Sequence, residues 1–185
     1  ISGPDKLCET IRALEPTMCG INLEDIKAPE CFYIEERLKK EMNIPVFHDD
    51  QHGTAIISAA GLINALEITG RRIEDIRIGI SGAGAAAIAS ARLYVRMGVQ
   101  VENIALFDSR GHLHAGRTDL NREKSEFAGA KAFSSMADAL TGSDMLLVLS
   151  REGPVSKDMV KNMAANPIIF ACANPNPEIS HPDAM

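Results

Sequence analysis

Tryptophan is absent from the 185 residues, and tyrosine occurs only twice, at Tyr33 and Tyr94. With aromatics at 4% and hydrophobic residues at 45%, the core has to be packed by Ala, Ile and Leu, as is common in α/β proteins. The net charge of −6 comes with no long run of one sign, which argues against nucleic-acid or anionic-membrane binding, since both reward a basic face. Cys8, Cys19, Cys31 and Cys172 form no CxxC and no framework spacing, so reduced thiols in a reducing compartment are expected. No positively charged start leads into an apolar run, and the longest apolar stretches are broken by Gly, Arg or Asp well short of a membrane span. The expectation is a soluble, cytoplasmic protein of one domain or one and a half. The chain opens on "ISGPDKL" without an initiator Met and stops at "HPDAM", which reads as part of a longer polypeptide.

What is present is a regular order of elements. Leu7, Ile11 and Leu14 form one helical stripe over residues 5–14, and Pro16 ends it. "CGINLED" is a short apolar segment closing on two acids. "PECFYIEERLKKEM" is a second helix, with Glu35 four residues before Lys39, and "IPVF" is a short strand. A helix is expected from Thr54 to Thr69, capped by Gly70. Strands at 76–81, 103–108, 144–150 and 167–174 then alternate with helices at 85–98, 134–142 and 157–166. That alternation, with continuously apolar strands, means a parallel sheet covered on both faces. Residues 109–133 are the most polar part and are expected to be an exposed connection around a short helix.

"ISGAGAAA" contains the spacing G-x-G-x-x-A at Gly82, Gly84 and Ala87. It follows an apolar strand and opens a helix, and Asp108 ends the next strand at about the distance of a dinucleotide-binding unit. Gly82 permits the tight turn, Gly84 lets backbone N–H groups approach a pyrophosphate, and Ala87 allows close helix–sheet packing. Asp108 would accept hydrogen bonds from the adenosine ribose. An acid there favours NAD, whereas Arg110 two residues on could meet the 2′-phosphate of NADP.

Two acidic pairs, Glu24–Asp25 and Asp49–Asp50, each lie where a strand meets a loop, the place at which ligands gather in α/β sheets. If the acids converge, the charge that balances them is a metal ion. His48 and His52, at i and i+4, suggest zinc, but Gly53 points to a loop there, and no HExxH or cysteine companion exists. An all-carboxylate set points instead to Mg²⁺ or Mn²⁺, and three carboxylates would leave about three of six octahedral positions for substrate oxygens and water.

"GINLEDIKAPECFYIEERL", "IPVFHDDQHGTAIISAAGLINAL", "SGAGAAAIA" and "PIIFACANPNPEI" together resemble malic enzymes of the shorter bacterial type, in family order from about Pro4 to Ile179. The resemblance implies oxidative decarboxylation of L-malate to pyruvate and CO₂ with NAD(P)⁺ reduced. It implies Glu24, Asp25 and Asp50 as metal ligands, and Asp49 as an acid near the catalytic lysine. Ala83, Ala85 and Ala86 join Gly82 and Gly84 on the dinucleotide loop, and Asn174 meets the nicotinamide end. The fold implied is α/β: a Rossmann-like parallel sheet in residues 53–185, incomplete at its C-terminus, preceded in residues 1–52 by part of a substrate and metal domain. A homo-oligomer is implied as well. The family's acid, a tyrosine, and its base, a lysine, lie upstream of Ile1; Tyr33, Tyr94 and Lys27 do not match them, so no catalytic acid or base is expected within this chain. Two alternatives stay open: a malolactic enzyme, and a dinucleotide-binding module without chemistry of its own.

Overall fold

The computed structural model describes residues 3–150, 155–173 and 176–184. It begins with α1 (Pro4–Ala13), β1 (Ile21–Leu23), α2 (Glu30–Glu41), β2 (Val46–His48) and α3 (Asp49–Thr69). There follow β3 (Ile78–Ser81), α4 (Ala85–Met97), β4 (Ile104–Asp108), β5 (Gly111–His112) and α5 (Arg122–Ser125). The last are α6 (Met136–Leu140), β6 (Met145–Val148), α7 (Lys157–Lys161), β7 (Ile168–Ala171) and α8 (His181–Ala184).

Strands β1 and β2 pair in parallel as a small sheet of their own. The main sheet has the order β5-β4-β3-β6-β7 and is parallel except for β5, which runs antiparallel to β4. From β3 the chain crosses to one side for β4 and to the other for β6, so the strand order reverses beside β3 as in doubly wound folds. Every residue of β3 and β6 is buried, as their unbroken apolar runs require. Ile78 and Ile80 of β3, Leu106 of β4 and Leu147 of β6 share one core with Ile88 and Tyr94 of α4, Leu62 and Leu66 of α3, and Phe32 of α2. Cys8, Leu23, Ile34, Leu38 and Val46 form a smaller core under α1, α2 and the two-stranded sheet.

Two local expectations need correction. Helix α3 starts at Asp49 rather than Thr54, so "DDQHG" is helical and the reason given against zinc, a loop at Gly53, does not hold. Packing decides this: Gln51 is buried on the added turn, and Asp49 and Asp50 suit a helix N-terminus electrostatically. The polar connection of 109–133 also contains β5, a strand of two residues that the short polar sequence did not announce. Gly70 closes α3 as expected, at φ 66° in the left-handed region.

Candidate functional site

The register of the small sheet sets Leu23 opposite His48, so Glu24–Asp25 and Asp49–Asp50 leave the carboxyl ends of adjacent parallel strands side by side. The Asp25 backbone N–H donates to Asp50 Oδ2 at 2.8 Å, tying one pair to the other. Asp25 has φ 57°, a conformation that short polar residues tolerate and that clusters at functional sites. Asn22 Nδ2 donates to Glu24 Oε1 at 2.8 Å. No ion pair among the described residues reaches any of the four acids. Among those residues, no three His, Cys, Asp or Glu side chains already gather as a group able to hold a metal. The donor set itself, oxygen only and uncompensated by protein cations, fits a hard divalent ion. His48 is wholly buried with neither ring nitrogen partnered among the described residues, while His52 Nε2 lies 2.7 Å from Glu35 Oε1.

The second half of the site begins at the end of β3. Gly82 has φ 114°, its N–H donates to the Phe107 carbonyl, and a Cβ there would sit 3.0 Å from the Leu149 carbonyl oxygen. Only glycine fits, because the turn is wedged between β4 and the exit of β6. Gly84 differs: it precedes the first turn of α4, has an ordinary φ of −86°, and a Cβ there would meet nothing within 4 Å. The open space lies at the N-terminus of a 13-residue helix that has no side-chain cap, where backbone N–H groups are free to receive phosphate oxygens. Gly84→Ala should therefore leave the melting temperature unchanged while weakening dinucleotide binding at least tenfold by calorimetry, the cost of lost hydrogen bonds to a charged group. Equal affinity would remove the loop from the binding site.

Asp108 is already engaged. Its Oδ1 accepts from Arg117 Nη1 at 2.8 Å and from the Arg110 N–H at 2.9 Å; its Oδ2 accepts from Arg117 Nη2 at 3.0 Å and Lys124 Nζ at 2.7 Å. Four donors occupy a carboxylate with about four lone-pair positions, so none is spare for a ribose hydroxyl. Burial alone would raise the carboxyl's pKa, but the bonds from Arg117, Lys124 and the Arg110 N–H outweigh it and bring the group down to about 2. A carboxyl depressed in the folded state stabilises above its unfolded pKa of about 3.9, and that contribution disappears as pH falls through about 2. Melting curves from pH 5 to 2 should thus show a steep loss of stability, flattened in Asp108→Asn.

Tyr33 is exposed, bonded to Asp5 at 2.6 Å, and Lys27 is exposed. Tyr94 lies wholly within the core, where burial pushes its phenol up to about 12. Asn174 lies outside the described residues.

Comparison with known proteins bears on the whole chain. Residues 51–182 match the model described as malic enzyme, NAD binding domain, and residues 2–39 the model described as malic enzyme, N-terminal domain. An NADP-dependent malic enzyme of Haemophilus influenzae is 56% identical over 183 residues, covering 98% of this chain and 24% of the relative. A bifunctional malic/malolactic enzyme of Bacillus subtilis is 49% identical over 185 residues, covering 97% of this chain and 45% of the relative. The crystal structure of Entamoeba histolytica malic enzyme superposes with a TM-score of 0.94 at 39% identity, covering 100% of this chain and 40% of that one. The chain thus spans less than half the length of each of these three proteins.

Proposed function

This chain belongs to the malic enzyme family, and on that footing we propose that the full-length protein oxidatively decarboxylates L-malate to pyruvate and CO₂ with reduction of NAD(P)⁺. The observation that carries the reading is the side-by-side exit of two uncompensated acid pairs from parallel strands, with α3 running from one pair to pack along the dinucleotide-loop helix. Glu24, Asp25 and Asp50 would hold Mg²⁺ or Mn²⁺, Glu24 exchanging Asn22 for the ion. A cation so held supplies Lewis acidity at the substrate's C2 oxygen, and the nicotinamide supplies the hydride acceptor. The chain's own residues do the positioning. Gly82 makes the turn while Ala83, Gly84, Ala85 and Ala86 present backbone N–H groups to the pyrophosphate, the acid cluster orients malate, and Asp49 stands beside the acids as a neighbour of the catalytic lysine. Asn174 keeps the nicotinamide-end role that the family resemblance implies.

We infer NADP as the preferred cofactor. Arg110, Arg117 and Lys124 gather at the tip of β4 around Asp108 and Asp119, three cations to two acids, which suits a 2′-phosphate better than a bare ribose. The boundary between a metal-binding part, 1–52, and a dinucleotide-binding part, 53–185, is supported by the two matched ranges. A cytoplasmic enzyme without nucleic-acid partners accords with the net charge of −6 and four free thiols, and a homo-oligomer is what the family resemblance implies. Among the described residues no helix is long and apolar enough to cross a membrane. The malolactic reading is kept alive by the Bacillus relative's bifunctional name. Full-length protein given Mn²⁺, malate and NADP⁺ decides: NADPH and pyruvate accumulating together support the proposal, lactate without net reduction supports the alternative, and neither product sinks both.

A further inference from the structure

Helix α3 carries a glycine, Gly53, in its second turn, where glycine weakens a helix relative to alanine. Its backbone gives no reason for this, since Gly53 is not among the residues with positive φ. The neighbourhood does. A Cβ at Gly53 would lie 2.5 Å from Asp49 Oδ1, 3.1 Å from Asp49 Cγ and 3.4 Å from Asp49 Oδ2, and these three contacts are all to the same carboxylate. Side chains on a helix ordinarily lean toward its N-terminus, yet Asp49 lies over the residue four positions later. The exposed Asp49 takes part in no ion pair among the described residues, and its carboxylate lies in the space above Gly53.

We propose that Gly53 is a positioning residue for the decarboxylation site: its missing side chain is the slot that seats the Asp49 carboxylate against α3. The inference rests on the reading above, in which Asp49 belongs to that site. A methyl group at 53 would be relieved most easily by swinging Asp49 away, because it meets the end of a rotatable side chain and no backbone. The helix would survive and the carboxylate's place would not.

The test is a cycle in the full-length protein of Gly53→Ala, Asp49→Ala and the double variant, read by malate kinetics and thermal melting. Gly53→Ala is expected to lower kcat by roughly 10- to 100-fold, the scale of a 1 Å misplacement, with KM little changed and the melting temperature not lowered. In the Asp49→Ala background the same change should cost no further activity and should raise the melting temperature by more than it does in wild type. Equal losses of kcat in both backgrounds, or full kcat in Gly53→Ala while Asp49→Ala is crippled, would overturn the proposal. Should Gly53→Ala fail to fold, a folded double variant supports it and a misfolded one overturns it. If wild type turns over no malate, or Asp49→Ala keeps full kcat, the functional reading falls instead. The melts alone then judge Gly53: a larger rise in the Asp49→Ala background supports the slot, and an equal one refutes it.

Discussion

Asp50→Asn in the full-length protein is expected to lower kcat/KM for malate by on the order of 10³-fold, the scale of losing several kcal/mol of metal-derived charge stabilisation. The substitution isolates charge from architecture. The amide oxygen of Asn can still accept the Asp25 N–H that Asp50 Oδ2 accepts at 2.8 Å, so the turn at Asp25 keeps its anchor. In metal-free buffer one carboxylate fewer beside Asp25 and Asp49 relieves repulsion, and the variant should melt no lower than wild type. Mn²⁺ should then raise the melting temperature of wild type by mass action and leave Asp50→Asn where it was. Turnover near the wild-type rate, or an unchanged response to Mn²⁺, would take the acid pairs out of the site.

Gly82→Ala should be the most damaging single change to the dinucleotide half. At φ 114° an alanine is strained, and its Cβ would press on the Leu149 carbonyl at 3.0 Å from oxygen and 3.2 Å from carbon. Both are backbone atoms of the strand exit opposite, so no rotamer change relieves them. Conformational strain and overpacking together imply a loss of about 3 kcal/mol. A urea midpoint shifted downward at constant slope would register it. The contrast with Gly84→Ala is the diagnostic part, because two glycines of one motif separate into a structural role and a ligand-facing one. Stability unaffected by Gly82→Ala would refute the wedge between β4 and β6.

Much of this was legible in the residues because the strongest signals are local. Unbroken apolar runs marked β3, β4, β6 and β7, Gly70 marked the end of α3, and the glycine spacing marked the switch in strand order. The acid pairs were legible for the same reason, each following a short apolar segment. The start of α3 was not, since two acids and a glycine carry the signature of a loop and the burial of Gln51 overrides it. Nor was the state of Asp108. Its partners Arg117 and Lys124 stand 9 and 16 positions away across a polar stretch, and nothing in their spacing announces that all three meet. Gly53 was read for its backbone, whereas its meaning lies in what a side chain would touch.

Because α3 begins at Asp49 without an intervening loop, the acids form the tip of a single 21-residue rod, about 30 Å long. A rod transmits displacement rather than absorbing it. Because β2 runs straight into α3, any opening and closing between the small sheet and the cofactor sheet must bend past Gly70. The two aspartates would travel with the small sheet as one lever, so both acid pairs would keep their places beside each other while the nicotinamide comes to malate.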